Sequence, residues 1–317
     1  MSLTMPTANE LHNMHKAQME CWEMARLNYQ VLDSTEVRNV MCNGVEVRLQ
    51  HNPARITSVT SRPQQAAKEK GCFLCNEQLP AEQLRLAYDK SYHLLVNPYP
   101  IFKQHFTIPT LLHTPQRIAT RMSDMLHMAR TFAPYTIFYN GPACGASAPM
   151  HMHFQAVEAG IMPIEQQYRT ATRTVIGHRN SAQLALLSGL LRHVFVIEAR
   201  ELAHAVSLFD TLYNAMSSQP DDEPMMNIIA RYETELQAWV ILIFPRSAHR
   251  PACYHAQDAS HRLISPASVE MGGLIITPRH EDFEQLTAEE ITTIYNEVSP
   301  SQSTINNITT QLQLLLQ

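Results

Sequence analysis

The segment His151-Met-His-Phe-Gln-Ala-Val157 constrains this chain more than any other stretch. Read as a strand, it sends His151, His153 and Gln155 to one face and Met152 and Phe154 to the other, which must be covered. Tyr135-Thr-Ile-Phe-Tyr-Asn140 reads as a strand before it, with the turn-rich loop Gly141-Pro-Ala-Cys-Gly-Ala-Ser-Ala-Pro149 between the two. A solvated strand face is the ordinary reading of such a polar row. The loop weighs against it, because Gly141, Gly145 and Ser147 bring backbone N–H groups and a hydroxyl to the start of the strand, an arrangement that holds phosphate without excess positive charge.

The rest of the chain alternates in texture. Residues 10–32 place Leu11, Met14, Met19, Trp22, Met24 and Leu27 at roughly helical spacing, predicting one amphipathic helix. Asn43-Gly44 between Val37–Met41 and Val45–Leu49 predicts a hairpin with a type I′ turn. Residues 52–62 read as short β-prone pieces and Ser61–Lys70 as a polar connector. Strands are expected at Tyr92–Asn97, His105–Pro109, Val194–Glu198, Met226–Tyr232 and Trp239–Phe244, with helices at Gln116–Arg130 and Leu202–Met216. Pro109-x-x-x-His113-x-Pro115 is echoed by Pro245-x-x-x-His249-x-Pro251, each after a strand, which suggests an internal duplication. The expected fold class is α+β, antiparallel sheets with flanking helices in two related halves, residues 1–165 and 166–317.

Composition excludes several classes. With 24 Lys and Arg against 29 Asp and Glu, the net charge of −5 argues against bulk affinity for nucleic acid or an anionic membrane, so any phosphate site is local. The longest apolar run, Ala238–Phe244, is far short of the roughly 20 residues that cross a bilayer. The first 30 residues lack the pattern of an export signal, so the expected location is cytoplasmic and the six cysteines are expected as thiols or metal ligands. Cys21, Cys42, Cys144 and Cys253 read as small buried residues. Cys72 and Cys75 form a C-x-x-C, which two histidines would complete as a charge-neutral tetrahedral zinc site; the spacing leaves His93, His105, His113 and His151 all open as partners.

Taken together, Cys72-Phe-Leu-Cys75, His105-Phe-Thr-Ile-Pro109 with His113, and Tyr139–Gln155 with its His151-x-His153-x-Gln155 resemble the histidine-triad (HIT-like) superfamily. The resemblance is to the branch with Gln as its third member: galactose-1-phosphate uridylyltransferase, ATP adenylyltransferase (diadenosine-tetraphosphate phosphorylase) and GDP-L-galactose phosphorylase. It implies HIT-like sheets and a nucleotidyltransferase or phosphorylase. In that reading His153 is the nucleophile and forms a covalent nucleotidyl-histidine, while Gln155 bonds the transferred phosphoryl group. Cys72, Cys75, His113 and His151 match the ligands of a structural zinc, and Asn140, Gly145 and Ser147 lie in the loop beside the phosphates. This chain has three residues between Ser147 and His151 where the adenylyltransferase and uridylyltransferase patterns have two.

The chemistry suits the residues. A neutral imidazole attacks phosphorus near pH 7 and its phosphoramidate is labile. Arg55, Arg246 and Arg250 are candidate phosphate partners, a surface salt bridge being the ordinary alternative for each. The expected substrates are a nucleoside diphosphate sugar or a dinucleoside polyphosphate, with phosphate or a sugar 1-phosphate as acceptor. The alternatives are a HIT-type nucleotide hydrolase, against which a neutral Gln155 counts, and a zinc-stabilised nucleotide-binding protein without catalysis. Base, sugar and oligomeric state stay open, homodimers being common among the relatives the resemblance names.

Overall fold

The computed structural model describes residues 5–60, 71–217 and 222–317; the connector expected at Ser61–Lys70 lies outside them. Thirteen strands are present among these residues: β1 Glu36–Cys42, β2 Val45–His51, β3 Arg85–Tyr88, β4 Tyr92–Val96, β5 His105–Pro109, β6 Tyr135–Asn140, β7 His153–Glu158, β8 Thr172–Arg179, β9 Ala182–Ser188, β10 Val194–Ala199, β11 Met226–Glu233, β12 Ala238–Pro245 and β13 Leu274–Thr277. Ten of them make one antiparallel sheet in the order β3-β4-β5-β7-β6-β11-β12-β10-β9-β8, and β1-β2-β13 make a second. Fold class is as the sequence predicts: α+β with large antiparallel sheets.

The strand order is mirrored about the β6–β11 junction, where Asn140 pairs with Asn227 and Phe138 with Ile229. The expected boundary between residues 165 and 166 falls inside the helix Ile164–Thr170. The repeated Pro-x-x-x-His-x-Pro does not mark equivalent places. It follows β5 in one case and β12 in the other, whereas position in the sheet matches β5 with β10 and β7 with β12.

Three layers bury the main sheet on both sides. On one face Phe106, Ile108, Ile137, Phe154, Ile228 and Ile241 pack against the helices Ala8–Cys21, Met122–Thr131 and Leu202–Met216. Trp239 donates its indole N–H to Leu126 O at 2.8 Å, tying β12 to the middle helix. On the other face Phe138, Ile229, Leu242 and Phe244 pack under Val47, Leu49 and Ile275 of the small sheet and Tyr295 of the helix Ala288–Val298. No helix among the described residues is long and apolar enough to cross a membrane.

Local departures from the sequence reading have local causes. The amphipathic helix is two helices, Ala8–Cys21 and Glu23–Val31, broken at Trp22, whose backbone turns extended (φ −128°, ψ 97°) as its indole is buried. Asn43 and Gly44 both have positive φ, 49° and 82°, as the I′ turn between β1 and β2 requires. Residues 53–60 are helical, a 3-10 turn Pro53–Arg55 leading into Ile56–Thr60, with Pro53 at the first helical position where its missing N–H costs nothing. The helix expected from Gln116 starts at Met122, because Gln116 is drawn into the sheet. The hairpin β8–β9 lacks a strong turn dipeptide; Asn180 makes its turn at φ 50°. Cys42 and Cys144 are buried as expected, but Cys253 is only half-buried and Cys21, the last residue of its helix, is exposed.

Ile241 is fully buried at the centre of β12. Ile241→Ala should destabilise the protein by about 2–5 kcal/mol, read from denaturant unfolding.

Candidate functional site

The C-x-x-C forms a tight turn, with Cys75 N–H donating to Cys72 O at 3.0 Å. Across from it, β5 ends at Pro109, and the chain continues through Thr110 to His113. Sulfurs and imidazole nitrogens of Cys72, Cys75, His113 and His151 all lie within 4.8 Å of one another. Cys72 Sγ is 3.3 Å from His151 Nδ1, and Cys75 Sγ is 3.1 Å from His113 Nδ1 and 3.7 Å from His151 Nδ1. Tetrahedral zinc with bonds of about 2.3 Å to sulfur and 2.0–2.1 Å to nitrogen holds its ligands roughly 3.5 Å apart, so the donor spacing fits. The tautomer fits too: His151 donates its Nε2–H to Thr110 O at 2.8 Å, which leaves the Nδ1 lone pair facing the sulfurs. Of the histidines the spacing left open, His93 and His105 lie outside this group.

β7 begins at His153; His151 sits before it in a turn, its N–H donating to Ala148 O at 3.0 Å. His153 and Gln155 still share a face, opposite Phe154. His153 donates Nδ1–H to the carbonyl of His151 at 2.8 Å, so its Nε2 carries the lone pair and faces Ser147 Oγ at 3.4 Å. Burial pushes the His153 pKa down to about 4, so the ring is neutral at neutral pH. Since Ser147 is exposed, this nitrogen lies toward the side of the loop that meets solvent.

Gln155 is half-buried, and its orientation is set by a residue the sequence reading weighed only as a metal ligand. His105 accepts from Ile101 N–H through Nδ1 at 3.3 Å and donates Nε2–H to Gln155 Oε1 at 2.8 Å. Burial, with the charge of Arg55 in the same direction, pushes the His105 pKa down to about 3, consistent with a neutral donor. The Gln155 carbonyl is thus turned to His105 and its amide N–H groups away from it. The His–x–x strand register could have shown this: Thr107 and Pro109 of β5 pair with Gln155 and His153, placing His105 two residues along the same face.

The loop Gly141–Pro149 rests on the second half of the chain. Asn140 Oδ1 accepts from Asn227 Nδ2 at 2.9 Å and from Ser268 N–H at 2.8 Å, and Asn227 Nδ2 also reaches Cys144 O at 2.9 Å. Arg246, expected on phosphate, is buried beneath this loop. Its five N–H donors go to Val298 O, Asn227 Oδ1, Pro266 O, Ala248 O and His249 O, so it braces the loop and has no donor left for substrate. Arg250 stacks on Tyr254 with its guanidinium carbon 4.0 Å from the ring centroid, and donates to Ser265 Oγ and Val59 O, both at 3.0 Å. Arg55 donates to Tyr99 O at 2.8 Å and acts electrostatically on His105; the Glu270 carboxylate supports its charge against burial. Of the three arginines, Arg55 is the one whose charge reaches the His105–Gln155 pair.

Two family descriptions match the chain: a domain of unknown function (DUF4922) over residues 14–158, and the GDPGP1-like C-terminal domain over residues 168–315. No curated protein matches it in sequence. Among solved structures, yeast Ap4A phosphorylase Apa2 in complex with AMP is similar at 16% identity and a TM-score of 0.63, over 93% of this chain and 97% of that one. The same enzyme in complex with Ap4A matches at 16% identity and a TM-score of 0.57, over 88% and 97%. At this identity the likeness is one of fold.

Gly145 has φ +93°, and a Cβ there would lie 2.6 Å from the Cβ of Ala267. Gly145→Ala should therefore cost about 1–3 kcal/mol and loosen the loop from the second half, measured as a lowered unfolding midpoint.

Proposed function

We propose that the chain, which carries a GDPGP1-like C-terminal domain and shares the fold of Ap4A phosphorylase, is a nucleotidyltransferase or phosphorylase of the histidine-triad (HIT-like) superfamily, and that it transfers a nucleoside monophosphate by way of a covalent nucleotidyl-histidine on His153. The donor is a nucleoside diphosphate sugar or a dinucleoside polyphosphate, and the acceptor is phosphate or a sugar 1-phosphate. The observation that carries this reading is the 2.8 Å bond from His153 Nδ1–H to His151 O, which leaves Nε2 as the nucleophilic atom. The AMP and Ap4A complexes of the yeast phosphorylase support a nucleotide as the substrate class.

In the first step the Nε2 lone pair of His153 attacks the α-phosphorus. The bond from phosphorus to the bridging oxygen breaks, and the other half of the substrate leaves with that electron pair. The ring becomes positively charged as it is phosphorylated, and Nδ1–H, already on the His151 carbonyl, stabilises that charge. In the second step an oxygen of the acceptor attacks the same phosphorus, the P–N bond breaks, and the neutral imidazole returns. Gln155 offers N–H to a nonbridging phosphoryl oxygen, held in place by His105. Arg55 supplies positive charge at this end of the strand pair. A neutral amide at Gln155 cannot draw a proton from water, which favours acceptors that arrive already ionised.

Cys72, Cys75, His113 and His151 would hold a zinc ion with all four positions filled by protein, a structural brace without an open site for chemistry. The brace bears on the reaction through His151 alone, whose ring is in the quartet and whose carbonyl orients the nucleophile.

Incubation with α-labelled nucleoside diphosphate sugars and dinucleoside tetraphosphates should leave acid-labile label on the wild type and none on His153→Ala, with turnover that requires phosphate or a sugar 1-phosphate. Equal cleavage in the absence of any acceptor would instead indicate a hydrolase. Protein purified without added metal should contain about one equivalent of zinc, and Cys72→Ser should lose it together with stability, seen as a lowered melting temperature. Less than half an equivalent, unchanged by the substitution, would contradict the zinc assignment.

A further inference from the structure

β6 and β7 pair regularly from Tyr135–Glu158 to Phe138–Gln155. Continued by two residues, that register would set Asn140 opposite His153. The pairing stops short of them, and the side chain of Gln116 stands in the gap. Gln116 Oε1 accepts from His153 N–H at 2.8 Å, while its Nε2 donates to His153 O and to Asn140 O, each at 3.0 Å. One amide thus takes up three backbone groups that the two strands would otherwise offer one another, in a place where Gln116 is 1% exposed.

Gln116 is itself fixed. Its N–H donates to Pro149 O at 3.2 Å, and two residues on, Ile118 N–H donates to Glu223 Oε1 at 2.9 Å. Tyr139, between the last paired residue of β6 and Asn140, donates its hydroxyl to the same carboxylate oxygen at 2.7 Å, and Tyr213 donates to the other at 2.8 Å. A carboxylate from the second half therefore anchors both the β6 end and the segment that bears the wedge.

We propose that Gln116 is a positioning residue for the nucleophile: its amide holds β6 and β7 apart at Asn140 and His153 and fixes the backbone from which Nε2 is aimed. Without the wedge the ladder would continue to His153; with it, the backbone that carries the nucleophile stays apart from Asn140, where the loop Gly141–Pro149 begins. The backbone on both sides of His153 is thereby set from one source, Gln116, while the ring is set from another, the His151 carbonyl. The inference rests on the reaction proposed for His153.

Two variants of the full chain test it. Gln116→Met keeps length and apolar bulk with no hydrogen bond, and Gln116→Glu keeps an acceptor for His153 N–H but loses both donors. In single-turnover labelling with α-labelled nucleotide, each should form nucleotidyl-His153 about 30- to 100-fold more slowly, the order of loss that a misplacement of about 1 Å brings, with nucleotide KM within threefold and metal content unchanged. A folded variant that labels within threefold of wild type overturns the proposal. Amide hydrogen exchange of the peptide spanning residues 151–155 gives a reading independent of chemistry: protection of His153 N–H should fall in Gln116→Met, and unchanged protection overturns the wedge whatever the reaction is. If wild type is labelled by no nucleotide, the reaction fails while the exchange result still decides the wedge. Should neither variant fold, exchange in wild type decides: rapid exchange at His153 N–H overturns the bond to Gln116.

Discussion

The site depends on one residue serving two purposes through different atoms. The ring of His151 faces Cys72 and Cys75 through Nδ1, while its main-chain oxygen receives the Nδ1–H of His153. Any force that moves the His151 ring moves the backbone that orients its neighbour. Thr110 completes the arrangement, accepting Nε2–H from the ring through its carbonyl and donating its own N–H to Met152 O at 2.9 Å. The end of β5 and the start of β7 are thereby locked in the place where the sulfurs converge.

A polar face inside a protein is costly unless each group finds a partner. Here the partners are arranged in a hierarchy. His105 occupies the Gln155 carbonyl, Ile101 N–H occupies the far side of His105, and Asn140, Asn227 and Arg246 satisfy each other beneath the loop. What remains at the open side is small and directed: His153 Nε2 with the Ser147 hydroxyl 3.4 Å from it, and the amide N–H of Gln155. Burial keeps both His105 and His153 uncharged, so the positive charge beside this face comes from Arg55 and not from protonated imidazoles.

Much of the site was legible because its residues are close in sequence or lie on one strand. Cys72, Cys75, His113 and His151 converge as expected, and the alternation of β7 correctly separated His153 and Gln155 from Phe154. The arginines were not legible. Arg246 and Arg250 look alike in Arg246-Ser-Ala-His-Arg250, yet the first is spent on carbonyls and the second stacks on Tyr254, a difference set by contacts with residues 265–266, 298 and 59 that no local pattern announces. Gln116 was misread for a related reason. Its residue type suits a helix, but three backbone groups at a splayed strand end outweigh the few tenths of a kcal/mol that propensity contributes. The echo of Pro-x-x-x-His-x-Pro misled because strand ends recur, while equivalence is decided by place in the sheet.

The mirrored sheet also shows how differently its two sides use equivalent strands. On the face that β7 devotes to His153 and Gln155, its counterpart β12 presents Val240, Leu242 and Phe244, all packed into the core beneath the small sheet. That apolar contact covers the second half of the sheet and draws in β13, which pairs in parallel with β2 from the beginning of the chain. The same region then supplies Ala267 against Gly145, Ser268 on Asn140 and Glu270 beside Arg55. With apolar side chains on that face, the second half is packed tightly, and a tightly packed wall keeps the loop that bears Gly145 in one shape beside the buried His153. In this arrangement the loop before His151 gains its order from the half of the sheet that presents apolar side chains on the corresponding face.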